Sequence, residues 1–186
     1  MINEQLVNLS NDFFQNSLDA SPTSAIMRGH KAYFDKIEEL TEEQFEIDSK
    51  NVDDYLKRLR EIELNSLSNR EKVTYGMLEF ALGSNKDSLL DKGWEFSAGV
   101  AGFTGFLIDY NQQMFIPDME SADLLLKRLE LYKRLFNQIA YVQKTGLENN
   151  RVATERNLLR TIDQLENYLD TTLENDPLLL VNFSPD

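Results

Sequence analysis

Apolar side chains return at helical intervals along most of the chain, and they crowd most densely between Asp118 and Gly146. Leu125, Leu129, Tyr132, Phe136 and Ile139 trace one stripe of that stretch, and Leu124, Leu131, Leu135 and Val142 trace a second beside it. A surface helix needs one stripe. Two adjoining stripes predict a long helix near the middle of the fold, with neighbours on two sides. On the narrow polar face, Asp123 precedes Lys127 and Glu130 precedes Arg134 by four residues, which reads as a solvated surface. Pro117 bars an earlier start, Ser121 or Asp118 can cap the first free amides, and Gly146 can take the left-handed conformation that ends a helix.

The same spacing predicts further helices before and after this one. Ile2, Leu6, Leu9 and Phe13 share a face in the first eighteen residues, with Phe14 and Leu18 close by, and Asp19 to Pro22 stops that helix. A short helical turn is expected over Thr23 to Met27, broken by Gly29. Thr41 to Gln44 and Ser68 to Glu71 both fit the capping box. The first opens a helix running through Ile62, which buries Phe45, Val52, Leu56, Leu59 and Ile62. The second opens one in which Val73, Met77, Phe80 and Ala81 face inward as far as Gly83. A last helix, about Thr154 to Leu173, is expected to bury Leu158, Ile162, Leu165 and Leu169. Between Gly93 and Pro117 no period is sustained, and the segment reads as packed and irregular, followed by a short helix around Phe106 to Met114. No stretch alternates with period two, so the expected architecture is all-α, a multi-helix array in one domain of 186 residues.

Charge narrows the partners. There are 32 acidic residues against 19 basic ones, a formal net charge of -13, and no cluster of Lys and Arg. Phosphate backbones need a positive surface, so nucleic acid is disfavoured, as is an anionic membrane. The longest nearly apolar run, Ala98 to Ile108, has about half the roughly 20 residues that a membrane span requires. The first residues lack the basic and apolar regions of a signal peptide, and cysteine is absent, so the chain reads as cytoplasmic.

Composition also limits the chemistry. His30 is the single histidine, and a catalytic zinc ion ordinarily takes two or three histidines or several thiolates. No Asp and Asn ladder matches a calcium loop. The pairs Glu38-Glu39, Glu42-Glu43 and Asp53-Asp54 read as solvated faces, since neighbours on a helix point in different directions. Gly99, Gly102 and Gly105 are spaced by three, but no strand precedes them and no Lys-Ser or Lys-Thr follows, so close packing explains them better than phosphate binding. The aromatics Trp94, Phe96, Phe103, Phe106, Tyr110 and Phe115 read as core before pocket. His30 has no nucleophile beside it in sequence. No catalytic, cofactor-binding or metal-binding residue is assigned, and no cofactor is expected in this chain.

Four stretches carry a resemblance: SPTSAIMRGHKAYFDKIEELT, WEFSAGVAGFTGFL, GLENNRVATERNLLRTIDQLENYL and TTLENDPLL. Together they resemble the N-terminal portion of bacterial proteins in the domain-of-unknown-function 885 family. Ser21 to Ala25 with Gly29, and Leu173 to Leu179 with Asp176-Pro177, are its most specific pieces. That family is similar to gluzincin-type metallopeptidases, with a His-Glu-x-x-His zinc helix downstream of the region matched. The resemblance therefore implies zinc for full-length relatives and none for this chain, in which the motif does not occur. It implies a non-catalytic helical segment forming a wall of the substrate cleft, whose partner is a missing C-terminal portion or a second copy. A stand-alone helical binding or scaffolding module is the competing reading. Leu178 to Val181 and Phe183 make an apolar tail that is expected to be buried, with the missing portion favoured as its cover.

Overall fold

A computed structural model describes residues 3–96, 114–177, 179–180 and 182–183. The expected helix around Phe106 to Met114, the glycines Gly99, Gly102 and Gly105, and the aromatics Phe103, Phe106 and Tyr110 fall wholly or mainly outside these residues. Contacts divide the chain into two units, one of residues 1–19 and 41–94, the other of 20–40 and 95–186.

The first unit is built from α1 (Glu4–Ala20, its last residue aside), α3 (Glu42–Arg60) and α4 (Asn69–Leu90). Its core joins Leu6 and Leu9 of α1 to Val52, Leu56 and Leu59 of α3 and to Tyr75, Leu78 and Leu82 of α4, with Ile62 and Leu67 from the short connection. Thr41 caps α3 by accepting a hydrogen bond from the Gln44 amide at 3.2 Å. The ring of Phe45 stacks on Trp94 with centroids 4.0 Å apart.

The inward face of α4 differs from the one expected. Val73, Met77 and Phe80 are 63%, 68% and 78% exposed, and Tyr75, Leu78 and Leu82 are buried in their place. Apolar residues occupy two opposite arcs of this helix, so spacing alone does not choose between them. The arc with the aromatic ring and two leucines at consecutive turns packs on α1 and α3.

The capping box of α4 is complete. Ser68 Oγ accepts from the Glu71 amide, and Glu71 Oε2 accepts from the Ser68 amide at 2.9 Å. The Asn3 amide also donates to Glu71, at 2.7 Å, tying the start of α1 to the start of α4. Hydrogen bonds from the Ser68 hydroxyl first, then from the Asn3 and Ser68 amides, hold the Glu71 carboxyl at about 2. Its folded value lies below its ordinary one. The stability it contributes is therefore present in full above the ordinary carboxylate value, and it is lost as the pH falls toward about 2. Melting temperature followed from neutral to acid pH is expected to fall less steeply in Glu71→Gln than in the unaltered chain; parallel curves would refute this.

The second unit is organised on α5 (Met119–Glu148), with α2 (Pro22–Met27) and the 31–40 segment laid against it, and α6 (Glu155–Leu169) following in sequence. Asp118 is the cap of α5, accepting from the Ser121 amide at 2.8 Å. The buried positions, Ser121, Leu125, Arg128, Tyr132, Leu135, Ile139, Val142 and Gly146, advance by four and three residues in alternation. Ile37 and Leu40 pack on this face beside Tyr132, Leu135 and Ile139. Gly146 does not end the helix; it is buried inside the last turn, and Asn150 takes the left-handed conformation instead, at φ 56°. In α6 only Thr161 is buried. Leu158 and Leu165 are half-buried, whereas Ile162 and Leu169 are 49% and 79% exposed, against expectation.

Among the described residues, extended structure is limited to a parallel pair of two-residue strands, β1 (Phe115–Ile116) and β2 (Asn182–Phe183), with Phe115 opposite Asn182. The fold is all-α. The apolar tail thus returns to its own chain through β2, while Leu179 and Leu180 stay exposed. No described helix is long and apolar enough to cross a membrane.

Candidate functional site

Among the described residues of the second unit, three charged side chains are withdrawn from water, and two of them meet. Arg128 is 0% exposed and Glu38 is 4% exposed. Arg128 reaches its buried place because it occupies one of the alternating inward positions of α5. Glu38 lies in the non-helical 36–41 segment, where it and its neighbour Ile37 are both buried. Thr23 joins the two. It follows Pro22 at the start of α2, and both its amide and its hydroxyl donate to Glu38, each at 2.9 Å. Arg128 Nη2 donates to Thr23 Oγ1 at 2.5 Å and lies 3.8 Å from Glu38 Oε2. Arg128 Nη1 donates to the Lys36 carbonyl, and Nε is buried without a hydrogen-bond partner.

The two charges compensate each other across 3.8 Å, with the threonine hydroxyl bridging them by hydrogen bonds. A hydroxyl beside a carboxylate invites comparison with an activated nucleophile, but Thr23 is 0% exposed and a substrate has no access to it. The constellation is a clamp that fixes the Ser21–Gly29 stretch and the 36–38 segment to α5. A second, more exposed layer extends it: Glu39 accepts from Arg134 and Gln138, and Gln138 accepts from the Leu40 amide at 3.1 Å.

The third buried charged residue, Glu95, is 3% exposed. Arg151 Nη1 donates to it at 3.0 Å and Asn149 Nδ2 at 3.2 Å. Its carbonyl oxygen presses on Gly146, lying 2.3 Å from where a Cβ would stand. Glycine is required by close approach here, with no left-handed turn involved.

Beside α2 lies a cavity of about 250 Å³, lined by Ile26, Met27, Phe34, Phe115 and Pro117, with Lys31 at its edge. Lys31 pairs with Asp118, and that contact, followed by the Ser121 hydroxyl and amide, holds the Asp118 carboxyl at about 2. Among the described residues the walls are apolar and Lys31 is already paired, so none of these residues is poised for proton transfer or attack.

Placement of the earlier candidates is mixed. His30 is half-buried, its ring edge-on to Tyr33 at 6.4 Å, and among the described residues it belongs to no cluster of ligands. Glu42 and Glu43 are exposed, as expected. Asp53 and Asp54 also turn to separate partners, Lys86 and Arg58. Glu38 departs from the expectation of a solvated face, because its segment is not helical and Thr23 and Arg128 meet it in the interior. Arg128 and Glu95 were not singled out by sequence. The alternation of four- and three-residue steps along α5 is a signal that could have found Arg128; Glu95 has no comparable one.

Zinc does not fit the described residues, among which no three His, Cys, Asp or Glu side chains are grouped to hold a metal ion. No step is derived through it. No curated protein and no solved structure matches the chain. A family description does match, over residues 22–184, a span that takes in the Thr23–Glu38–Arg128 clamp, Glu95 and α6. The chain belongs to that family, the bacterial proteins of unknown function designated DUF885.

Proposed function

We propose that the chain is a non-catalytic helical segment of a metallopeptidase-like protein, a wall of the substrate cleft completed by a further portion that bears the zinc motif. The outer arc of α4 carries this reading. Val73, Met77 and Phe80 stand exposed there at consecutive turns, and Gly76 and Gly83 on the same helix have open space where a side chain would be. Mid-helix glycines cost about 1 kcal/mol each relative to alanine, a cost that close approach by another element would offset. The chain's own chemistry agrees with a supporting role: its buried carboxylates are held by Arg128 and Arg151, and it has one histidine.

A stand-alone helical module has one observation in its favour, the return of the tail to β1 through the parallel strand pair. The sequence encoded after Asp186 separates the two. A His-Glu-x-x-His motif in the same reading frame is expected; an immediate stop codon would sink the peptidase reading and leave the module.

A further inference from the structure

The most sharply two-sided helix of the second unit turns part of its apolar side outward. At 3.6 residues per turn, Thr161, Leu165 and Leu158 of α6 point inward, while Ile162, Leu169 and Leu159 continue the apolar arc into solvent at 49%, 79% and 55% exposure. Four carboxylates lie on the solvent side of Ile162, with Glu155 and Glu166 between it and Leu159, and Asp163 and Asp170 beyond Leu159. None makes an ion pair with a described residue. The helix's own Arg156 and Arg160 sit further round, beyond this carboxylate border.

We propose that this face of α6 docks an amphipathic helix of another polypeptide, one that lays an apolar stripe on Ile162 and Leu169 and a row of Lys or Arg against the four carboxylates. Helix-in-groove recognition supplies the contact area through the apolar anchors, and the charged border selects the partner. A second copy is a poor occupant. A two-fold antiparallel pairing sets each border against its own image, and here that means carboxylate against carboxylate. Parallel pairing needs the opposite border, where Thr161 is buried and Tyr168 half-buried. The inference is drawn from the exposed arc and its charges and not from the peptidase-like reading.

The test uses the full chain and two synthetic amphipathic helices of about five turns, long enough to be helical on a surface. Both carry a leucine stripe; one is bordered by lysine, the other by glutamate. Fluorescence anisotropy is expected to show binding of the lysine peptide alone. Ile162→Glu with Leu169→Glu is expected to weaken it by about tenfold or more, with helical circular dichroism unchanged. Glu155→Lys with Glu166→Lys is expected to move the preference to the glutamate peptide. Reversing Glu61 and Glu63, an equal charge change at exposed positions in the first unit, is expected to weaken binding far less. Equal loss in that control would reduce the effect to general attraction by an acidic protein and overturn the proposal. So would failure of the lysine peptide to bind, or a dimer of the chain that Ile162→Glu dissolves.

Discussion

Arg128→Met is expected to bring the chain close to unfolding. Removing one partner of a buried ion pair costs about 3–5 kcal/mol, because the carboxylate left behind is desolvated without compensation. That is a large share of the roughly 5–15 kcal/mol that holds a domain together. Glu38 would keep two hydrogen bonds from Thr23, but the Lys36 carbonyl and the Thr23 oxygen would each lose the donor that Arg128 supplies. Arg128→Lys is expected to recover only part of the loss, since one ammonium group cannot span two acceptors as the planar guanidinium does. Replacing the whole cluster, Arg128→Met with Glu38→Leu and Thr23→Val, is expected to recover part of the loss, because no charge is then buried alone, although the Lys36 carbonyl and the Thr23 amide still lack their partners. Chemical denaturation of the four proteins checks the series. A single Arg128→Met variant as stable as the parent would show that the clamp contributes little.

The second large effect is expected at Gly146. In an exposed helix, glycine to alanine gains about 1 kcal/mol, and Gly76→Ala and Gly83→Ala, with nothing within 4 Å of the new methyl group, should each gain something near that. Gly146→Ala should do the reverse. Its methyl group would meet the Glu95 oxygen at 2.3 Å and the Arg151 oxygen at 2.9 Å, both of them backbone atoms. Neither can rotate away. Relief requires moving the 93–96 turn, and with it a buried carboxylate held by Asn149 and Arg151. Overpacking of this kind costs about 1–3 kcal/mol, and unseating Glu95 adds to it. Thermal melting of the three alanine variants is the measurement. A stabilised Gly146→Ala would mean that the turn yields freely and that the close approach is not a constraint.

What could be read from the amino acids alone was local. The complete capping box at Ser68 and Glu71, the Asp118 cap and the broad buried arc of the helix that follows each depend on residues within a few turns of one another. Side chains that meet across long separations were less legible. Nothing near Glu38 announces that it will be buried, since its partner stands at position 128 and its own segment has no helical phase to interpret. In α4 the periodicity was present twice, on opposite arcs, and only packing on α1 and α3 selects Tyr75, Leu78 and Leu82 over Val73, Met77 and Phe80. Gly146 was read as a helix stop because glycine commonly serves there; the close carbonyl of Glu95 lies about fifty residues earlier in the chain.

The Thr23–Glu38–Arg128 clamp also sets an order of events on the ribosome. Residues 41–94 and α1 supply a complete set of core partners for the first unit, so that unit can close soon after Trp94 emerges. The 20–40 segment lies between those two pieces in the chain, yet its partners on α5 come much later; Lys36 and Arg128 are 92 residues apart. At about 5–20 residues per second, synthesis leaves Thr23 and Glu38 without their cation for roughly 5–20 seconds. Once the first unit has closed, the segment is a loop tethered at both ends to a folded neighbour. Translation speed between residues 38 and 128 thus decides how long the most specific stretch of the sequence waits, open to proteases and chaperones, for the helix that locks it.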